Sequence, residues 1–221
     1  MKTFKQYLGE GASAGKHDLS PEQLDDHAKH AFSFGPGHME AISDYKVDSN
    51  KFNEPLRHIS QEHPQLYVGG GPADEHMMKH LDHVTGHPMA HDHTLYRGFS
   101  HHHKELDKLK VGDTFTDHGY TGTTTSEAVG KAFSMPQKYG HGGDRDFALH
   151  YAKIHAPAGT KGYYLDRHRN SEDYENEVLL HRGTKYQVTG HSEHTGEDAH
   201  ETTRQTKYRV THLKVVGNET K

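Results

Sequence analysis

Ser171-Glu172-Asp173-Tyr174-Glu175-Asn176-Glu177-Val178-Leu179-Leu180-His181-Arg182-Gly183 joins an acidic turn to a short apolar run and closes on a glycine. The run from Glu177 to His181 reads as a strand, with a second strand from Lys185 to Thr189 beyond the glycine. Two acids separated by one residue at the mouth of a strand project to the same side if strand geometry already holds there. Carboxylates that close repel each other, so one of them takes a raised pKa unless a cation stands nearby. Taken alone the pattern is also that of a solvated acidic loop.

Outward from this segment, the same strand-and-turn texture extends over the second half of the chain. Strands are expected at Thr94 to Arg97, Thr114 to Thr116, Tyr120 to Thr124, Phe147 to Ile154, Lys161 to Leu165 and Tyr208 to Val216. One helix, from about Ser126 to Phe133, interrupts them. The stretch from His191 to Thr206 is so polar that it reads as a loop or an exposed hairpin. The first part reads differently. Ser20-Pro21-Glu22-Gln23 has Ser at the N-cap, Pro at N1 and Gln at N3, the start of a helix through Ala28 and Ala31. Further helical segments run from Met39 to Tyr45 and from Ala73 to Val84, separated by the breaker Tyr67-Val68-Gly69-Gly70-Gly71-Pro72. Helices first and strands after give an α+β class rather than a parallel α/β fold. Residues 1–92 form the helical part and 93–221 the β-rich core.

Composition narrows the partners. The chain has 221 residues, 30% of them hydrophobic, with 12 Tyr and 8 Phe set among aliphatic residues, so it folds around a modest core. A net charge of −5 offers no basic field for a phosphate backbone, so strong nucleic-acid binding is not expected. The absence of cysteine removes disulfides, thiolate zinc sites and thiol catalysis, and suits a reducing cytosol. No apolar run reaches the length of a membrane span, and Gly9-Glu10-Gly11 follows the early lysines where a signal peptide needs an apolar stretch. Histidine is abundant, 25 residues. His76, His80 and His83 share one helix face, with His87, His91 and His93 following, but His101-His102-His103 and many others are scattered, and no H-E-x-x-H motif occurs. The reading is compositional bias, with no metal site.

Two further segments carry chemistry. Leu95-Tyr96-Arg97-Gly98 ends a strand in an arginine whose planar fork suits a pyrophosphate. Gly119-Tyr120-Thr121-Gly122-Thr123-Thr124-Thr125-Ser126-Glu127 is a hydroxyl-rich strand feeding a helix, where hydroxyls can orient a carboxylate or a ribose.

In this order, Tyr96-Arg97-Gly98, Tyr120 to Thr124 with Ala132-Phe133, and Glu175-Asn176-Glu177 resemble the three motifs of the Arg-Ser-Glu class of mono-ADP-ribosyltransferases, bacteriophage protein-arginine enzymes among them. Ile154-His155-Ala156-Pro157-Ala158-Gly159-Thr160-Lys161-Gly162 is similar to the family's strand-turn-strand connection, and Arg182 to Val188 to the hairpin after E-x-E. The resemblance spans roughly residues 94 to 216. It implies a split β-sandwich that binds NAD as co-substrate, with Arg97, Gly98, Thr123, Thr124 and Glu177 at the nucleotide. It implies that Glu177 stabilises the cationic sugar formed as nicotinamide leaves, and that Glu175 aligns the acceptor and takes its proton. Tyr174 and Glu175 are the expected substrate contacts, and the implied acceptor is an arginine on a protein. In a gapless alignment the family's first serine falls on Gly122. Either Thr123 replaces it by a one-residue shift or a water does, and Thr123 is the expectation. By analogy the chain is a monomer acting in the cytoplasm, that of the host cell if phage-encoded. An NAD glycohydrolase and a histidine-rich metal-binding or structural protein on a degenerate fold are the competing readings.

Overall fold

A computed structural model describes residues 19–59, 75–99, 108–134, 149–165, 175–197 and 205–219. The predicted strand start at Phe147, the helix start at Ala73, the run His101-His102-His103 and Tyr174 lie outside these residues. Within them are five helices, α1 (Pro21–Ala31), α2 (Pro36–Val47), α3 (Asn50–Ile59), α4 (Glu75–Thr85) and α5 (Glu127–Phe133). The strands are β1 (His93–Phe99), β2 (Thr114–Asp117), β3 (Thr121–Thr124), β4 (Leu149–Ala156), β5 (Gly162–Tyr164), β6 (Glu177–Leu180), β7 (Thr184–Glu197) and β8 (Gln205–Asn218).

Local chemistry accounts for several boundaries. The capping box at Ser20 forms as read: Gln23 N–H donates to Ser20 Oγ, and Ser20 N–H to Gln23 Oε1. Phe32 to Gly35 separates α1 from α2, which starts earlier than expected because Pro36 at its first turn needs no N–H partner. α3 was not predicted. Pro55 inside it is a helix breaker by rule, yet Phe52 and Asn53 are both buried, and tertiary packing outweighs the lost hydrogen bond. Of the polar stretch that starts at His191, residues 191–197 lie in β7, which stays paired with β8 out to Glu197 and Gln205.

The strands lie in the order β2-β7-β8-β4-β1-β3-β6-β5. β4 and β8 are parallel, the other neighbours antiparallel. Seven residue pairs join β1 to β4, but Tyr96 and Thr124 alone join β1 to β3, so the sheet splits there into a five-stranded and a three-stranded part. Leu95, Ile154, Val188 and Leu213 from the first part meet Tyr164, Val178 and Leu180 from the second in one core between them. The opposite face of the three-stranded part, with Tyr163 and Leu179, is covered by Ile42 and Tyr45 of α2, Phe52 of α3, and Leu81 and Val84 of α4. Alternation along β6 therefore sends Val178 and Leu180 into the sandwich, and Glu177 with Leu179 towards the helices. No helix among the described residues is long and apolar enough to cross a membrane.

Candidate active site

Glu177 opens β6, and its side chain is 14% exposed; that of Glu175, two residues earlier, is 24% exposed. Strand alternation does not set their relation. Asn176 between them has φ of +49°, a left-handed conformation that asparagine tolerates better than most residues, and the strand begins only after it. Both carboxylates nevertheless turn to one cation. Lys46 Nζ, from the end of α2, stands 3.3 Å from Glu177 Oε2 and 3.7 Å from Glu175 Oε2.

The threonines of β3 grip this turn by its backbone. Thr124 Oγ1 donates to the Glu175 carbonyl at 2.6 Å, Thr125 N–H to the Asn176 carbonyl at 3.0 Å, and Thr123 Oγ1 to the Val178 carbonyl. Tyr164 Oη donates to Asn176 Oδ1 at 3.2 Å from the other side. Thr123 is thus not the brace of the Glu177 carboxylate that a one-residue shift would make it; it is buried with its proton committed to a neighbouring strand. The position that faces the carboxylate is Gly122, where an added Cβ would stand 3.3 Å from Glu177 Oε1 and 3.6 Å from Tyr45 Oη.

Arg97 reaches this spot from β1. Its Nη1 donates to the Gly122 carbonyl at 3.3 Å, and its guanidinium lies 5.9 Å from the Phe99 ring centre. The Tyr45 hydroxyl is pushed up in pKa by burial and by Glu177, with Asn53, Arg97 and Arg57 acting against that, so it stays protonated between the anion and the cations. Arg97, Gly122, Tyr45, Lys46, Glu175 and Glu177 thereby share one locality, where the helices meet the split in the sheet. Gly98, next to Arg97, lies against the backbone of α5 and the residue after it. A Cβ there would collide with the Ser134 amide nitrogen and the Gly130 carbonyl, so glycine is needed for α5 to lie on β1.

Behind the carboxylates, α3 holds the loop into β3. Arg57 forms two bonds to Asp117, at 2.9 and 3.0 Å, and one to the Tyr120 carbonyl. Asp117 also accepts from Thr121 Oγ1 and Gly119 N–H, and its pKa is lowered: burial pushes it up, but Arg57, Arg97 and the Gly119 N–H outweigh that. Asn53 accepts from Tyr120 N–H and donates to Tyr45 Oη. Tyr45, Lys46, Asn53 and Arg57 were not anticipated from the sequence. The available signal was the spacing of Phe52, Asn53, Leu56 and Arg57, which fits one helix face and is masked by Pro55.

A groove of about 460 Å³ is lined by Gln23, Asp92, Thr94, Tyr96, Thr125 and Glu127 among others, and by none of Arg97, Glu175 and Glu177. His76 and His80 approach to 3.3 Å between Nε2 atoms, but no group of three potential metal ligands occurs among the described residues.

A family model described as ADP-ribosyltransferase exoenzyme matches residues 28–215. Among solved structures, the chain is similar to Plx2a, an ADP-ribosyltransferase toxin from Paenibacillus larvae: TM-score 0.64 at 15% identity, covering 88% of this chain and 93% of that one. An ADP-ribosyltransferase from Clostridium botulinum gives 0.57 at 19%, covering 89% and 95%. BECa, an ADP-ribosylating toxin of a C. perfringens binary enterotoxin solved with NADH, gives 0.60 at 13%, covering 88% of this chain but 46% of that one. At such identities the structural likeness is one of fold. No curated protein sequence matches.

Proposed function

Because the chain belongs to the ADP-ribosyltransferase exoenzyme family, we propose that it transfers ADP-ribose from NAD to the guanidinium of an arginine on a protein substrate. NAD is the co-substrate of these enzymes and supplies a sugar whose bond to nicotinamide breaks with positive charge growing on the ribose. Glu177, the more enclosed carboxylate, presents an anion where that charge develops. Arg97 offers its guanidinium to the pyrophosphate. Glu175, the more exposed carboxylate, aligns the acceptor guanidinium and takes one proton as the new carbon–nitrogen bond forms and nicotinamide departs.

The observation that carries the arginine reading is the shared embrace of one nitrogen cation: both carboxylates reach the Lys46 ammonium within 3.7 Å. A pair that already accommodates a cationic nitrogen is suited to a guanidinium, which is protonated at any physiological pH. The test is mass spectrometry of proteins incubated with NAD and the enzyme. ADP-ribose on arginine is expected, with Glu175→Gln releasing free ADP-ribose but labelling no protein, and Glu177→Gln reducing both by about 100-fold or more. Modification of another side chain, or free ADP-ribose as the sole product of the unaltered protein, would overturn it; the latter is the outcome for an NAD glycohydrolase.

A further inference from the structure

We propose that Lys46 is a positioning residue for the transfer, the ammonium that keeps Glu175 and Glu177 ionised together and turned into the same locality. The inference rests on the reading of those glutamates given above. Its ground is geometric. Lys46 comes from a helix about 130 residues earlier in the chain, its side chain is 12% exposed, and its Nζ bridges two carboxylates that are themselves largely enclosed. Two carboxylates within 3.7 Å of the same ammonium disfavour each other's charge, and the shared cation favours the charged form of both. The helix is fixed in place to supply it, since Ala41, Ile42 and Tyr45 are buried against the three-stranded part of the sheet.

Other charged and titratable groups face this spot from each element packed on it. Tyr45 of α2 is held protonated by burial and the nearby Glu177. Arg97 of β1 turns to the Gly122 carbonyl, and Arg57 of α3 is engaged by Asp117 of β2. Lys46 contacts both glutamates.

The experiment compares Lys46→Met, Lys46→Gln and Lys46→Arg with the unaltered enzyme. The first readout is the carboxyl titration of Glu175 and Glu177 by carbon NMR. The second is the pH profile of NAD cleavage and transfer. Removing the ammonium is expected to raise at least one glutamate pKa by about one unit or more and to move the acid limb of both profiles upward by a similar amount, while Arg restores it. Two uncharged variants guard against one failing to fold, which thermal melting reports. Glutamate titrations that coincide in all four proteins would refute the role of Lys46, whether or not the enzyme is active. Normal titration shifts in an enzyme that neither cleaves NAD nor labels protein would instead refute the functional reading and leave the electrostatic one standing.

Discussion

Gly122 faces Glu177 so closely that a β-carbon on residue 122 would stand 3.3 Å from Glu177 Oε1. The atom that would have to yield is the end of a flexible side chain, so a small residue fits with a shift of a few tenths of an ångström. A serine there would place a hydroxyl beside the carboxylate and fix its direction. Gly122→Ser is therefore expected to raise the rate of NAD cleavage about fivefold, the worth of roughly 1 kcal/mol from one added hydrogen bond. Gly122→Ala supplies the same β-carbon without the hydroxyl and should give no gain. Steady-state rates of the two variants decide it: equal rates would mean that the hydroxyl does nothing.

Gly98 and α5 make a second expectation, one of stability. A methyl at 98 collides with the backbone of Gly130, Phe133 and Ser134, none of which can swing away as a side chain could. Gly98→Ala should cost about 2 kcal/mol, the usual scale of overpacking, read by denaturant titration. If glycine were instead required for contact with the nucleotide, stability would be unchanged and only the KM for NAD would rise.

Acid should weaken the fold through three buried imidazoles. His27, His93 and His181 are exposed by 0%, 2% and 5%, and burial holds their pKa values down, to about 3 for His27 and about 4 for the other two. Tyr164 N–H donates to His27 Nδ1, while His181 Nδ1 meets the hydroxyl of Thr85, whose own proton goes to the Leu81 carbonyl. The unfolded chain takes up protons at its histidines below about pH 6.5 and the folded one does not, so stability is whole above that pH and falls as pH drops towards the folded values. Well below 6.5, each histidine contributes about 1.4 kcal/mol per pH unit, about 4 for the three. Melting temperatures between pH 7 and 5 should show the decline, and His181→Gln should make it shallower. A flat profile over this range would mean that the three imidazoles are protonated in the native protein.

Periodicity made the strands, the capping box at Ser20 and the order of the three chemical segments legible in the sequence, because each is a local property of a few residues. What stayed hidden is what arrives from afar. Nothing local ties Lys46 to Glu177 or Arg57 to Asp117, since their partners lie in sequence roughly 60 to 130 residues away. Pro55 concealed α3 because its cost is visible in the sequence and the packing of Phe52 that offsets it is not. Thr123 departs from expectation for a related reason: an Oγ can aim along its own strand pairing as easily as into a site, and the Val178 carbonyl claims it. The departure at Gly122 was visible, but its neighbour was not.

Asn176 sets the spacing of the two acids by a backbone turn of φ +49°, tied on one side to Tyr164 and on the other to Thr125. Glu177 belongs to the strand beyond that turn and Glu175 to the segment before it, so a rotation at this single residue swings one carboxylate while leaving the other in register. The relative placement of the two acidic side chains thus hangs on one backbone dihedral, and a residue at 176 less tolerant of positive φ would shift them against each other.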